Sequence, residues 1–272
     1  MTDYKLIAPT MDCNMACPYC FESNADNYMS EEVQERTFDF AINFLKMHNC
    51  KTFHVIWFGG EPLMSKEIIY KLSRRFIEYC KDIIKISVRV NVDKNNADSI
   101  PEFWKSVIDY GWYPDPIVNI AMVDVYSEHC GIASKDCLCS ESFSALSNRL
   151  FDIISDSNID IPSNILLPGN RSTYCSAVTY GNFVVDPDRY LYSCWNMIGR
   201  KDRRIGDISQ YSPMNSEYLR WLLHEPPDSC SDCNLLPPCA GGGPCQNLCP
   251  GQMPPGICHA GPSCVFPSIP KR

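Results

Sequence analysis

The chain has 272 residues, is 45% hydrophobic and carries a formal net charge of −8. That is enough apolar material for a core in one domain or two, and too acidic a balance for an electrostatic nucleic-acid binder, whose phosphate contacts need clustered Lys and Arg. The amino terminus, MTDYKLIAPTMDC, has no basic stretch leading into a long apolar one, and no later run approaches the roughly eighteen apolar residues of a membrane span, so the expectation is a soluble, cytoplasmic protein with neither nucleic-acid nor membrane partners.

Seventeen cysteines are the unusual feature. An odd count, no export signal and a chain large enough to hold together without staples favour metal or cluster ligation over disulfides. The last seven fall from Cys230 onward, among prolines and the run AGGGP. This composition shift places a boundary within 160–172 and predicts domains 1–165 and 166–272.

In chain order, YKLIAPTM (4–11) reads as a first strand that runs directly into CNMACPYCF. Ser30 then suits the N-cap of a helix, with Glu31 and Glu32 in the first turn where the helix dipole favours acids. Val33, Thr37, Phe40, Ala41, Phe44 and Leu45 follow at helical spacing, so the helix continues to about Met47. KTFHVIWF (51–58) reads as a buried strand ending at GGEP, and 65–81 as a second helix. IKISVRVNVD (84–93) alternates strictly, with Ser87, Arg89, Asn91 and Asp93 on its polar face. A helix near 99–110, a strand at 117–123 and a helix near 140–156 complete this half. Alternating strands and helices imply parallel βα units, whose functional loops lie at the carboxyl ends of the strands. CNMACPYCF and GGEP should therefore meet on one rim.

Three thiolates on a short loop, Cys13, Cys17 and Cys20, can hold three irons of a [4Fe–4S] cluster and leave the fourth open to an exogenous ligand. The alternative is structural zinc, although a closed zinc site wants four ligands and no further Cys or His lies nearby. Gly59 and Gly60 lack side chains, so a small molecule can approach the backbone; Glu61 offers an acceptor for an ammonium, and Pro62 stiffens the turn. On these residues the sequence resembles the radical S-adenosylmethionine (SAM) superfamily, CNMACPYC looking like its CxxxCxxC loop and GGEP like its SAM amino-group motif. The resemblance implies that Cys13, Cys17 and Cys20 hold the cluster, that SAM chelates the open iron, and that Phe21 lies near the adenine. It places Gly59, Gly60 and Glu61 near the methionine amine. Ser87, Arg89 and Asn91 would face a polar barrel interior, with Arg89 either on the SAM carboxylate or in a structural ion pair. The implied fold is α/β, a partial TIM-like barrel of the radical SAM type. Only four βα units are visible where complete members have about six, so the barrel is expected to be shortened by about two.

The later cysteines resemble the SPASM extension, an irregular cysteine-rich module with two auxiliary [4Fe–4S] clusters. Carried over, Cys175, Cys194 and Cys245 would hold one, and Cys230, Cys233, Cys239 and Cys264 the other; zinc ribbons are the alternative. Cys249 competes with Cys245 and Cys258 with Cys264, and the sequence does not assign Cys130, Cys137 and Cys139. Arg189 stands where the family usually has Gly. Trp195 replaces the Asp that sulfatase-maturing relatives carry after the cysteine matching Cys194, which disfavours formylglycine formation. The expectation is a SAM-cleaving maturase that abstracts hydrogen from a peptide or protein substrate and installs a thioether, a carbon–carbon crosslink or an epimerised centre. Its partners would be a reductant such as flavodoxin or ferredoxin and, with no leader-binding domain ahead of the first strand, a separate leader-binding protein. A sulfatase-maturing enzyme and an inactive cluster- or zinc-binding scaffold are the alternatives.

Overall fold

Leu6, Ile7 and Ala8 are all buried, so the first strand is covered on both faces, as a central parallel strand must be. The computed structural model describes residues 2–15, 17, 20, 22–23, 25–85, 87–111, 117–122, 138, 140–157, 173, 175–209, 215–226, 228, 231–232 and 236–240. Its elements begin with β1 (Thr2–Ile7), α1 (Glu31–Met47), β2 (Thr52–Trp57), α2 (Lys66–Cys80), β3 (Ile84–Lys85), β4 (Ser87–Val92), α3 (Ile100–Asp109), β5 (Ile117–Met122) and α4 (Ser140–Asp156). Then come β6 (Phe183–Val185), β7 (Tyr190–Tyr192), β8 (Gly206–Asp207) and the short helices Ser216–Leu222 and Leu236–Cys239. Contacts divide the chain into two compact units, Met1–Ile86 with Cys175–Glu225, and Ser87–Tyr174 with Pro226–Arg272. The expected domain boundary at 165/166 lies outside the described residues.

In the first unit the sheet order is β3-β2-β1-β6-β7-β8. β1 pairs in parallel with β2, Thr2 opposite Thr52 through Ile7 opposite Trp57, and with β6, Lys5 opposite Phe183 through Ile7 opposite Val185. β6, β7 and β8 continue antiparallel. The first strand begins earlier than expected and ends at Ile7, because Pro9 has no N–H to give a ladder. α1 starts as its sequence predicts, Ser30 Oγ accepting from Val33 N at 3.3 Å. Its buried face, Thr37, Phe40, Ala41, Phe44 and Leu45, enters a core with Phe53, Leu72, Phe76 and Phe183.

The expected single strand 84–93 is divided. Ile84 and Lys85 pair with Phe53 and His54 of β2, whereas β4 pairs in parallel with β5, Ser87 opposite Ile117 through Val92 opposite Met122. Alternation says which residues share a face but not which strand they hydrogen-bond to, so this break was invisible in the pattern. β4, α3 and α4 give the second unit its own core of Val92, Ile100, Trp104, Val107, Leu146, Leu150 and Ile154. Among the described residues parallel pairing therefore joins four strands, β3-β2-β1-β6, in the first unit and two, β4-β5, in the second, and the α/β architecture is that of a partial TIM-like barrel.

Two local features depart from expectation. Lys5 is 1% exposed; its Nζ donates to Gly181 O at 2.7 Å and lies 4.1 Å from the Phe44 ring centroid and 5.0 Å from that of Phe183. Arg189, a non-glycine residue, adopts φ 75° in the β6–β7 turn. An ion pair to Asp207 Oδ2 at 2.9 Å, with Ile208 N donating to Arg189 O, helps hold the residue in this left-handed conformation.

Lys5→Ala leaves a cavity and strips the Gly181 carbonyl of its donor, and should destabilise the protein by about 3 kcal/mol. Lys5→Met keeps the aliphatic stem and should cost only about 1 kcal/mol. Urea unfolding measures both, and equal losses would show that the charge rather than the packed stem matters.

Candidate functional site

Because β1, β2 and β6 run parallel, the loops leaving their carboxyl ends open on one edge of the sheet: the cysteine loop after β1, Gly59–Pro62 after β2, and the turn at Asp186 after β6. Phe58 N donates to Ile7 O at 3.0 Å and Ala8 N to Val185 O at 2.9 Å, which holds the three exits level. The glycines then let two loops touch. Gly59 has φ +105°, and a Cβ there would strike the Thr10 carbonyl oxygen and Ala8. A Cβ on Gly60 would land on the Asp12 carbonyl. The room these glycines leave is filled by the chain's own segment 8–12, and Glu61 N donates to Asp12 O at 2.9 Å across the contact. Glu61 Oε1 in turn accepts from Leu63 N at 3.0 Å, capping the 3-10 turn Pro62–Ser65.

Asp12 ties the rim together. Its backbone N donates to Thr10 Oγ1 at 2.9 Å, its Oδ1 accepts from Cys13 N at 2.8 Å, and its Oδ2 accepts from the Tyr28 hydroxyl. Being the donor to that carboxylate is the main reason the Tyr28 phenol is held above its ordinary range. Sequence reasoning missed both residues. An Asp directly before a loop is a familiar acceptor for the next N–H, but nothing local announces a tyrosine sixteen positions on.

The three thiols share this loop, Cys13 and Cys17 half-buried and Cys20 exposed. Cys20 N donates to Cys17 O at 3.1 Å, and Met15 N to Cys13 Sγ at 3.4 Å. Burial holds the Cys20 thiol above its ordinary value, helped by the charges of Glu22, Cys17 and Cys13 and opposed by a backbone bond at Glu22. Mutual repulsion of this sort is what a bound cation relieves. Among the described residues no three His, Cys, Asp or Glu side chains stand close enough to hold a metal ion as they are. The donor set still fits a cluster, with three thiols on one accessible loop. A second sign is Glu22, whose Oε2 is buried without a hydrogen-bond partner and whose carboxyl is pushed up to about 7 by burial.

The other expected residues are dispersed. Cys194 is buried, and since β7 runs back from the rim, it leaves the sheet at the end opposite the cysteine loop. Cys175 caps the turn Ser176–Val178 with its sulfur 3.4 Å from Ala177 N, and Asn182 Nδ2 donates to Ser176 O, tying that turn to the start of β6. Ser87, Arg89 and Asn91 belong to β4 in the second unit, with Asn91 exposed. Cys239 ends the helix Leu236–Cys239. Phe21, Cys230, Cys233, Cys245 and Cys264, with Cys130, Cys137, Cys139, Cys249 and Cys258, lie outside the described residues.

Residues 6–108 match the 4Fe-4S single cluster domain family. No curated protein matches the chain. Among solved structures, native anSMEcpe with bound AdoMet and the Cp18Cys peptide superposes on 92% of this chain and 91% of its own, at 17% identity and a TM-score of 0.58. Streptococcus suis SuiB bound to precursor peptide SuiA covers 89% of this chain and 72% of its own, at 12% identity and a TM-score of 0.59. SuiB bound to S-adenosylmethionine gives 14% identity, 89% and 73% coverage, and a TM-score of 0.57. The fold is that of the radical SAM enzymes. On this radical SAM fold the CxxxCxxC loop and the GGEP loop occupy adjacent strand ends, joined by the Glu61–Asp12 bond. No described helix is long and apolar enough to cross a membrane.

Beside this rim, Asp186 is 3% exposed and accepts from Asp188 N, Tyr190 N and the Tyr192 hydroxyl. Burial outweighs those bonds and raises its carboxyl from 3.8 to about 6. The folded protein therefore holds this proton more tightly than the unfolded chain, and the corresponding stability is present at low pH and lost as pH rises through about 6. The melting temperature of Asp186→Asn relative to wild type should rise between pH 4 and pH 7, by the equivalent of about 3 kcal/mol; a difference that stays flat with pH would refute the assignment. Gly60→Ala, which drives a Cβ into the Asp12 carbonyl, should lower stability by roughly 2 kcal/mol or more and reduce iron uptake on reconstitution. Unchanged iron content and urea midpoint would contradict the close approach.

Proposed function

We propose that this protein is a radical SAM enzyme that modifies a peptide. The observation that carries the reading is the Glu61 N–H to Asp12 carbonyl bond, which sets the three-cysteine loop beside GGEP on one rim of a parallel sheet. Cys13, Cys17 and Cys20 would hold a [4Fe–4S] cluster. Bound there with SAM, it supplies reductive cleavage of SAM to methionine and a 5′-deoxyadenosyl radical, the hydrogen abstractor. The chain's own contribution is positional. Asp12 fixes the Cys13 N–H and orders the start of the loop, while Gly59 and Gly60 admit the neighbouring backbone. Glu61 spends Oε1 on Leu63 N, leaving Oε2 to accept from the methionine ammonium. Phe21 would lie against the adenine, and Ser87, Arg89 and Asn91 are proposed to complete the SAM site from β4.

A peptide substrate is supported by the likeness to anSMEcpe and SuiB, both solved with peptides. Which bond is made, whether a thioether, a carbon–carbon crosslink or an inverted centre, is a matter for product analysis. We extend the proposal to two auxiliary clusters, one on Cys175, Cys194 and Cys245, the other on Cys230, Cys233, Cys239 and Cys264.

The deciding experiment is release of 5′-deoxyadenosine by anaerobically reconstituted protein given SAM and dithionite. Wild type should release it and Cys17→Ala should fall to background; a wild type that loads iron yet releases none would establish the scaffold. In the same preparations three clusters correspond to about 12 irons per chain, and Cys194→Ala should lose about 4 of them. An unchanged iron count would remove Cys194 from the ligand set.

A further inference from the structure

Beneath the β6–β7 turn lies a cavity of about 550 Å3 that the SAM site does not use. Tyr28, Ser30, Asp188, Tyr190, Lys201 and Arg204 form its polar walls. Two of these are cations, in a chain whose net charge is −8. Arg204 lies flat over the Tyr190 ring, 3.3 Å from its centroid, and its Nε donates to the Tyr192 hydroxyl at 3.4 Å. Tyr192 is itself anchored on Asp186 at 2.9 Å. The guanidinium is thus held in place from below, and among the described residues its Nη1 and Nη2 groups donate no hydrogen bond, an arrangement suited to gripping a planar carboxylate. Lys201, an exposed lining residue, adds an ammonium. The carboxylate in the lining is Asp188, which is engaged by Asn27 Nδ2 at 3.3 Å, and Asp186 lies behind Tyr192, accepting from that hydroxyl and attracting Arg204 from below. Ser30 is the N-cap of the long helix α1, whose dipole also favours an anion here.

The cavity shares a wall with the reaction site. Tyr28 lines it and donates its hydroxyl to Asp12, whose other oxygen takes the Cys13 N–H. An extended peptide advances about 3.3 Å per residue, so a peptide whose reacting residue stands at the cysteine loop brings a side chain a few residues away over this cavity. We propose that it is a specificity pocket for an acidic side chain of the substrate peptide, an Asp or Glu near the modified position, bound by Arg204 and Lys201. This rests on the peptide-modifying reading. A free phosphate or dicarboxylate shares the same chemistry and is separated by the test.

The test uses the full chain, reconstituted anaerobically, and fluorescence anisotropy of a labelled Gly-Ser-Glu repeat peptide against its Gln counterpart. The acidic peptide should bind at least about tenfold more tightly than the Gln peptide, and rising salt should weaken it. Lys201→Glu, a surface change confirmed folded by its melting curve, should weaken the acidic peptide by about tenfold and leave peptide-free 5′-deoxyadenosine release unchanged. Arg204→Gln should do the same to binding. Equal affinity for the two peptides, or binding indifferent to Lys201→Glu, overturns the pocket. So does Lys201-dependent binding of inorganic phosphate or glutarate with none of the acidic peptide, which marks a free-anion site. Lys201-dependent peptide binding by a wild type that releases no 5′-deoxyadenosine would support the pocket while overturning the catalytic reading above.

Discussion

The contact on which the rim depends is the approach of one backbone to another: the Asp12 carbonyl seated against Gly60, with the Glu61 N–H closing on it. The hydrogen bond by itself is worth only about 1 kcal/mol net. Its weight is steric. Any side chain at residue 59 or 60 would collide with segment 8–12, so the two glycines decide that the loops after β1 and β2 can lie in contact. GGEP is therefore a device for joining loops before it is a device for binding anything.

That contact has something firm to stand on. β1 is held by parallel partners on both sides and buried on both faces, and Lys5 is packed between Phe44 and Phe183 with its ammonium on the Gly181 carbonyl. The strand that supplies the second neighbour, β6, comes from the cysteine-rich half of the sequence, so the two halves of the chain share one sheet. The β6–β7 turn needs a left-handed residue, and Arg189 adopts that conformation although an L side chain resists it. Its guanidinium makes the ion pair to Asp207 that a glycine would forgo.

Acidic groups around the rim are kept in distinct environments. Asp12 is engaged by Cys13 N and Tyr28, whereas Glu22 is buried beside the thiols with one oxygen unpartnered and pushed up to about 7. Asp186 is buried under three donors and raised to about 6. Burial thus makes these two carboxyls hold their protons to higher pH than a free acid would. The cations Lys201 and Arg204 stand one wall away, behind Tyr28.

Much of this was legible in the amino-acid order, because the signals are local. Ser30 announces α1 by its cap, the 3.6-residue spacing of Phe40, Phe44 and Leu45 locates its buried face, and three cysteines in eight positions directly after a strand single out a candidate ligand loop. Parallel βα order put that loop and GGEP on one rim before any coordinates. What the order of residues did not contain was pairing at a distance. The alternation of 84–93 is the same whether the segment is one strand or two, and only hydrogen-bonding partners separate Ile84–Lys85 from Ser87–Val92. The Tyr28–Asp12 bond, the burial of Glu22 and the junction of β6 with β1 likewise depend on which segments meet in space. A motif specifies which atoms a site has to offer; their contacts, and the charge they carry, are decided by neighbours that only the folded chain brings together.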